Sequence, residues 1–190
     1  MRLTAGIVLG LMTGTIFAHA ADVTGTVQLP SKKAAGSAVV SLEGIKKATP
    51  LSKYIVDQRD KMFLPHISVV PTGTSVEFPN NDTVFHNVFA YFNAKKFDLG
   101  MYPRGKSKTE RFDKAGVVAL FCNVHSEMSA YIVVVDTPYY AIADKKGKFA
   151  VKNVPPGTYT MHTWHESGAV SEQKITVGAN TSANIVLAKK

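Results

Sequence analysis

Seven consecutive residues carry the most distinctive chemistry in this chain. Cys122-Asn123-Val124-His125-Ser126-Glu127-Met128 sets a thiol, an imidazole and a thioether three residues apart each time. The segment lies between two apolar runs, Val117 to Phe121 and Tyr131 to Val135, and so reads as a loop joining two strands. A loop can turn all three side chains toward one point, whereas an extended strand sends alternate residues to opposite faces. Soft sulfur donors combined with imidazole favour copper. Two histidines, one cysteine and a distant axial methionine form the trigonal blue-copper set, so a second histidine is required from elsewhere.

The candidates are His66, His86, His162 and His165. His86 follows Phe78-Pro79-Asn80-Asn81-Asp82, a strand ending in a turn, and sits inside the run Val84 to Phe89. His66 comes after Pro65 at a strand start and reads as a packed or surface histidine. His162 and His165 are three apart on one strand, so they face opposite ways and do not serve one site. The expected metal ligands are therefore His86, Cys122, His125 and Met128. For Met128 the other reading is a core methionine, with water or a backbone oxygen in the axial place.

Cys122 is the only cysteine. It has no partner within the chain, which leaves a free thiol, an intermolecular link or a metal ligand. Haem attachment through C-x-x-C-H and a copper pair bridged by two thiolates are both excluded. Arg2, the apolar run Leu3 to Phe17 and Ala18-His19-Ala20 give a charged start, a short apolar core and an A-x-A pattern. A membrane span needs about 20 apolar residues, and Gly6, Gly10 and Gly14 weaken this shorter run. Residues 1–20 are expected to be a signal peptide, the alternative being an uncleaved anchor. The mature chain is expected in the periplasm or secreted, with no membrane span after cleavage. The formal charge is +8, with lysines spread along the chain. No helix-turn-helix or basic amphipathic helix appears, so nucleic acid is not an expected partner. The basic surface suits an acidic protein partner or simple solubility.

Short β-branched and aromatic runs recur between Pro, Gly, Asn and Asp, including residues 23–27, 38–42, 53–58, 66–70, 75–78, 84–89, 149–151, 159–164, 174–177 and 184–187. That spacing predicts an all-β sandwich or barrel without helices. Breaks near residues 46–50 and 136–138 delimit a middle piece, 51–136, from two outer pieces that are each small for a stable core.

The middle piece resembles a cupredoxin of the plastocyanin and amicyanin kind. Phe63-Leu64-Pro65, Val69, Gly73-Thr74-Ser75-Val76-Glu77-Phe78, Asn80-Asn81 and His86-Asn87-Val88 are similar to that family's approach to its first histidine ligand. Gly116 to Cys122, His125, Met128 and Val133-Val134 are similar to its last two strands and ligand loop, in the short amicyanin-like spacing. The resemblance implies one copper ion cycling between Cu(I) and Cu(II) in a Greek-key sandwich. It implies Met128 as weak axial donor, Asn87 tying the two ligand segments together, and His125 as the exit for electrons. It also implies a redox partner protein such as an amine or other dehydrogenase, and a carrier rather than an enzyme.

Gly147-Lys148-Phe149-Ala150-Val151 through Val154-Pro155-Pro156-Gly157-Thr158-Tyr159 resembles the later half of a carboxypeptidase-regulatory-like, or transthyretin-like, sandwich. Its earlier half is similar to Val23-Thr24-Gly25-Thr26-Val27 and Gly36 to Leu42. The resemblance implies a discontinuous sandwich from 22–48 and 137–190 around the cupredoxin, the rival being that 22–48 adds strands to the cupredoxin itself. Trp164-His165-Glu166 reads as a strand-end structural cluster, with a secondary metal site or a partner contact as the alternatives. Copper storage, delivery or sensing without electron transfer remains the second functional reading.

Overall fold

The computed structural model describes residues 19–44, 47–91, 94–179 and 181–189. The expected signal segment lies outside the described residues, apart from His19 and Ala20. The chain opens with β1 (Ala21–Gln28) and β2 (Val39–Glu43). The middle region holds β3 (Tyr54–Ile55), β4 (Asp57–Arg59), β5 (Met62–Leu64), β6 (Ile67–Pro71), β7 (Thr74–Pro79) and β8 (His86–Ala90). It continues with β9 (Phe97–Tyr102), β10 (Ser107–Phe112), β11 (Gly116–Phe121) and β12 (Ser129–Val135). The last third holds β13 (Tyr140–Ile142), β14 (Lys148–Val154), β15 (Gly157–Trp164), β16 (Ala169–Val177), β17 (Thr181–Val186) and β18 (Ala188–Lys189). The protein is all-β, with no helix among the described residues. In particular, none is long and apolar enough to cross a membrane.

Two sandwiches result. In the first, the sheet β10-β7-β3 faces the sheet β6-β12-β11-β8-β9 across a core containing Phe63, Phe78, Phe112, Leu120 and Ile132. In the second, β14-β1-β17 faces β13-β2-β15-β16-β18 across Val23, Val40, Leu42, Phe149, Met161 and Ile185. Each large side chain buried here contributes about 1.5–3 kcal/mol. Strands β1 and β2 therefore pair with strands of the last third, although the whole middle region separates them in sequence.

Burial pattern follows position. Strand β7, the middle strand of its three-stranded sheet, alternates, with Thr74, Val76 and Phe78 inside and Ser75, Glu77 and Pro79 outward. Strands β6 and β12 run parallel, and both are buried on both faces, Ser68 being the polar residue within β6. Val70, Ile132 and Val134 fill the first core, while Ile67, Val69, Val133 and Val135 form a third cluster with Val39 of β2. That third cluster joins the two sandwiches, which explains why these strands read as continuous apolar runs.

The expected strand 53–58 divides at Val56. This residue is fully buried, and its N–H bonds to the Glu77 carbonyl. Before it, β3 runs parallel to β7; after it, β4 turns to pair antiparallel with β5. Strands β9 and β10 were not among the expected ones. Only Tyr102 and Phe112 are buried within them, with Phe97 and Leu99 packed half-buried against the core, so ladder bonds to β8 and β7 supplement a small apolar contact.

Gly25 sits where β1 lies closest to β17. A Cβ there would stand 1.8 Å from the Ala183 carbonyl oxygen and 2.9 Å from the Phe149 ring. Backbone cannot yield as a flexible side chain can. Gly25→Ala is expected to destabilise the protein by about 3 kcal/mol, at the upper end for overpacking. Urea unfolding followed by circular dichroism measures this as a lowered midpoint; an unchanged midpoint would contradict the close packing of β1 against β17.

Candidate metal centre

The hairpin of β11 and β12 builds the site. Phe121 pairs with Ser129, so residues 122–128 form a seven-residue loop closing that hairpin. The loop reverses at its end, where the Met128 N–H bonds to the His125 carbonyl. Strand β8 lies beside β11 through the Phe121–Phe89 pair, which brings His86, its first residue, against the loop. Asn87 then fixes the two segments: its Oδ1 accepts the Asn123 backbone N–H at 2.8 Å. Asn87 is buried, as such a cross-tie requires.

Three donor atoms converge. His86 Nδ1 and His125 Nδ1 are 3.1 Å apart, and Cys122 Sγ lies 3.8 Å from the first and 3.9 Å from the second. The point equidistant from the corners of such a triangle is about 2.1 Å from each, within the usual range of metal–nitrogen and metal–sulfur bonds. The set thus fits one ion without rearrangement. His86 and Cys122 are buried, while His125 is half-buried. Met128 is 1 % exposed and shares the core cluster of Cys122, Val88 and Leu120.

Protonation favours binding. His86 Nε2 lies 2.9 Å from Asp82 Oδ2. A carboxylate accepts, so this nitrogen carries the hydrogen and a neutral ring presents its Nδ1 lone pair to the site. Desolvation is the main cause that holds the His125 imidazole below the usual histidine range; the Lys61 charge pushes the same way and the Asp82 carboxylate the other. Metal binding requires the neutral imidazole that this favours.

Asp82 is the residue that sequence reasoning missed. It is 8 % exposed, and its carboxyl is held well below the usual carboxylate range. The Lys61 backbone N–H is the main cause, followed by the His86 hydrogen bond. Lys61 N–H donates to Oδ2 at 2.7 Å and Thr83 N–H to Oδ1 at 2.7 Å. Asn80 supports this turn: its Oδ1 accepts the Asp82 N–H, and its Nδ2 donates to the carbonyls of Val84 and Tyr102. The available signal was an acid four residues before His86, inside a turn already recognised as one.

The remaining histidines lie elsewhere. His66 bonds to Ser129 and Glu166, His162 lies between Glu43 and Glu172, and His165 contacts Ser167. Exposed apolar side chains flank the site. Val124 adjoins His125, Phe85 adjoins His86, and Met101 pairs across the ladder with Asn87.

Comparisons with known proteins give partial matches. A family model described as polysaccharide lyase family 4, domain II, matches residues 113–185. No curated protein matches. Among solved structures, the chain is similar to a copper-containing nitrite reductase from Thermus scotoductus, with 24% identity and a TM-score of 0.43. That match covers 50% of this chain and spans only 25% of the reductase. A purple cupredoxin from Nitrosopumilus maritimus matches at 21% identity and a TM-score of 0.39, covering 45% of this chain and 100% of its own. A reduced amicyanin variant matches at 19% identity and a TM-score of 0.41, covering 50% of this chain and 98% of its own.

Proposed function

We propose that this protein carries single electrons outside the cytoplasm on one copper ion held by His86, Cys122 and His125, with Met128 as weak axial donor. One observation carries the reading: two imidazole nitrogens and one thiol sulfur form a triangle of metal-binding size, without any rearrangement. Bound copper supplies one-electron exchange between its two common oxidation states. Cys122 provides a thiolate and a covalent route into β11. Asp82 and Asn87 fix the donors, and a site held rigid needs little rearrangement when its charge changes. The buried flanks of Cys122 and His86 keep water away. Only His125 is partly open, so electrons pass through its ring to a partner seated on the surface marked by Val124 and Phe85. A basic chain suits an acidic redox protein there.

We read residues 51–136 as the copper domain and 22–48 with 137–190 as a second, discontinuous sandwich. Two separate apolar cores support that division.

The test is a copper titration of residues 21–190 followed by visible spectroscopy and voltammetry. One equivalent of copper, an intense visible band and reversible cycling are expected. A colourless protein that surrenders its copper quickly to a weak chelator would instead favour storage or delivery. Met128→Leu is expected to keep colour and stoichiometry while raising the reduction potential, because a thioether tunes the ion without anchoring it. Loss of all copper in that variant would show Met128 to be a principal ligand.

A further inference from the structure

The far end of the ligand loop touches His66, which in turn pairs with a residue of the other sandwich. His66, directly before β6, engages both ring nitrogens: Nδ1 lies 3.0 Å from the Ser129 carbonyl oxygen, and Nε2 lies 2.6 Å from Glu166 Oε2. Ser129 is the residue after Met128, and Glu166 belongs to the turn between β15 and β16. Around this bridge, the His66 ring meets the Tyr131 ring edge-on at 5.8 Å, and Tyr131 packs on Trp164 at 5.1 Å. The His66 carbonyl also accepts the Tyr131 N–H. The Ser129 carbonyl and the Glu166 carboxylate are both acceptors for the His66 ring. Glu166 is the charged group facing that ring, and Tyr131 of β12 is its titratable neighbour.

We propose that Glu166, acting through His66, is a positioning residue for the ligand loop, so that the second sandwich sets the environment of Met128 and with it the behaviour of the bound ion. This rests on the copper reading given above. None of the donor residues contacts Glu166, so the coupling runs through the Ser129 backbone.

Two measurements on the full chain test the idea. The first is amide hydrogen exchange of the copper-free protein, corrected for intrinsic pH dependence. Glu166→Ala is expected to lower protection at Met128 and Ser129 by about twofold to fivefold, the weight of an exposed ion pair, and to leave β1 and β17 unchanged. His66→Phe, which keeps a ring edge toward Tyr131 but has no N–H groups, should do the same. The second measurement is the reduction potential with copper bound, which Glu166→Ala should shift without changing the one-to-one stoichiometry. Equal protection in wild type and Glu166→Ala, a loss spread evenly over both sandwiches, or an unmoved potential would overturn the proposal. A wild type that binds no copper would sink the functional reading instead, while the exchange experiment still decides the bridge.

Discussion

Cys122→Ser is expected to abolish the visible band of the proposed copper protein and to lower copper affinity by about 100-fold or more. Outer-sphere partners alone are worth about 10–100-fold in metal affinity, and Cys122 supplies the sulfur corner itself. Serine preserves shape, but its hydroxyl stays protonated at neutral pH and is a hard donor. The two imidazoles then remain with no soft partner. The fold survives, because the side chain is small and stands at the end of β11 rather than deep within a strand. Its stability falls by about 1–3 kcal/mol if the buried hydroxyl finds no partner. The clearest readout is therefore linkage. Copper at 100 times its dissociation constant stabilises a binding protein by about 2.7 kcal/mol, so it raises the wild-type melting temperature and leaves that of Cys122→Ser in place. A variant that keeps its colour and still gains copper-dependent stability would remove Cys122 from the site.

The local part of the candidate set could be read because its expected donors are close in sequence. Cys122, His125 and Met128 need only one loop, and the apolar runs on either side announce that loop. His86 is 36 residues from Cys122, yet its strand and the preceding turn could be read. The poor geometry of the other histidines narrowed the choice further. Asp82 was not legible in the same way. Its role depends on which ring nitrogen of His86 faces inward, and that is fixed by how Lys61, Thr83 and Asn80 fold the turn around the carboxylate.

The same distinction explains the fold. Strands with an apolar face, such as β7 and β15, show their period in sequence. Strands β9 and β10 hold one buried residue each and depend largely on their ladder neighbours. The Trp164–Glu166 cluster, read as structural, does pack within the chain: Trp164 on Tyr131 and Glu166 on His66. Its partner could not be read, because a pairing across 100 residues leaves no periodic trace. The third apolar cluster shows an intermediate case. Val133 and Val135 were legible as strand residues, but not as a surface that meets Val39.

The Asp82 carboxylate carries the second large expectation, and two substitutions separate its roles. Asp82→Ala removes the acceptor for His86 Nε2 and for the backbone N–H groups of Lys61 and Thr83. Each donor left buried and unpaired costs about 1–3 kcal/mol, less where water enters, so the copper-free variant is expected to lose about 2–4 kcal/mol. With its acceptor gone, His86 can rotate or change tautomer, and metal affinity should fall about 10–100-fold. Asp82→Asn keeps one oxygen, which can still serve Lys61 and His86, and places its amide group toward Thr83. Most of the geometry survives, but the negative charge behind His86 does not. A carboxylate makes an imidazole a stronger donor and so favours the more highly charged oxidised ion. Its loss should therefore raise the reduction potential while affinity stays within about tenfold of wild type. Chemical denaturation of the copper-free proteins, metal titration and voltammetry distinguish the three effects. If Asp82→Asn lowers the potential, or Asp82→Ala binds copper as the wild type does, then Asp82 supports the turn alone and Asn87 is what orients the site.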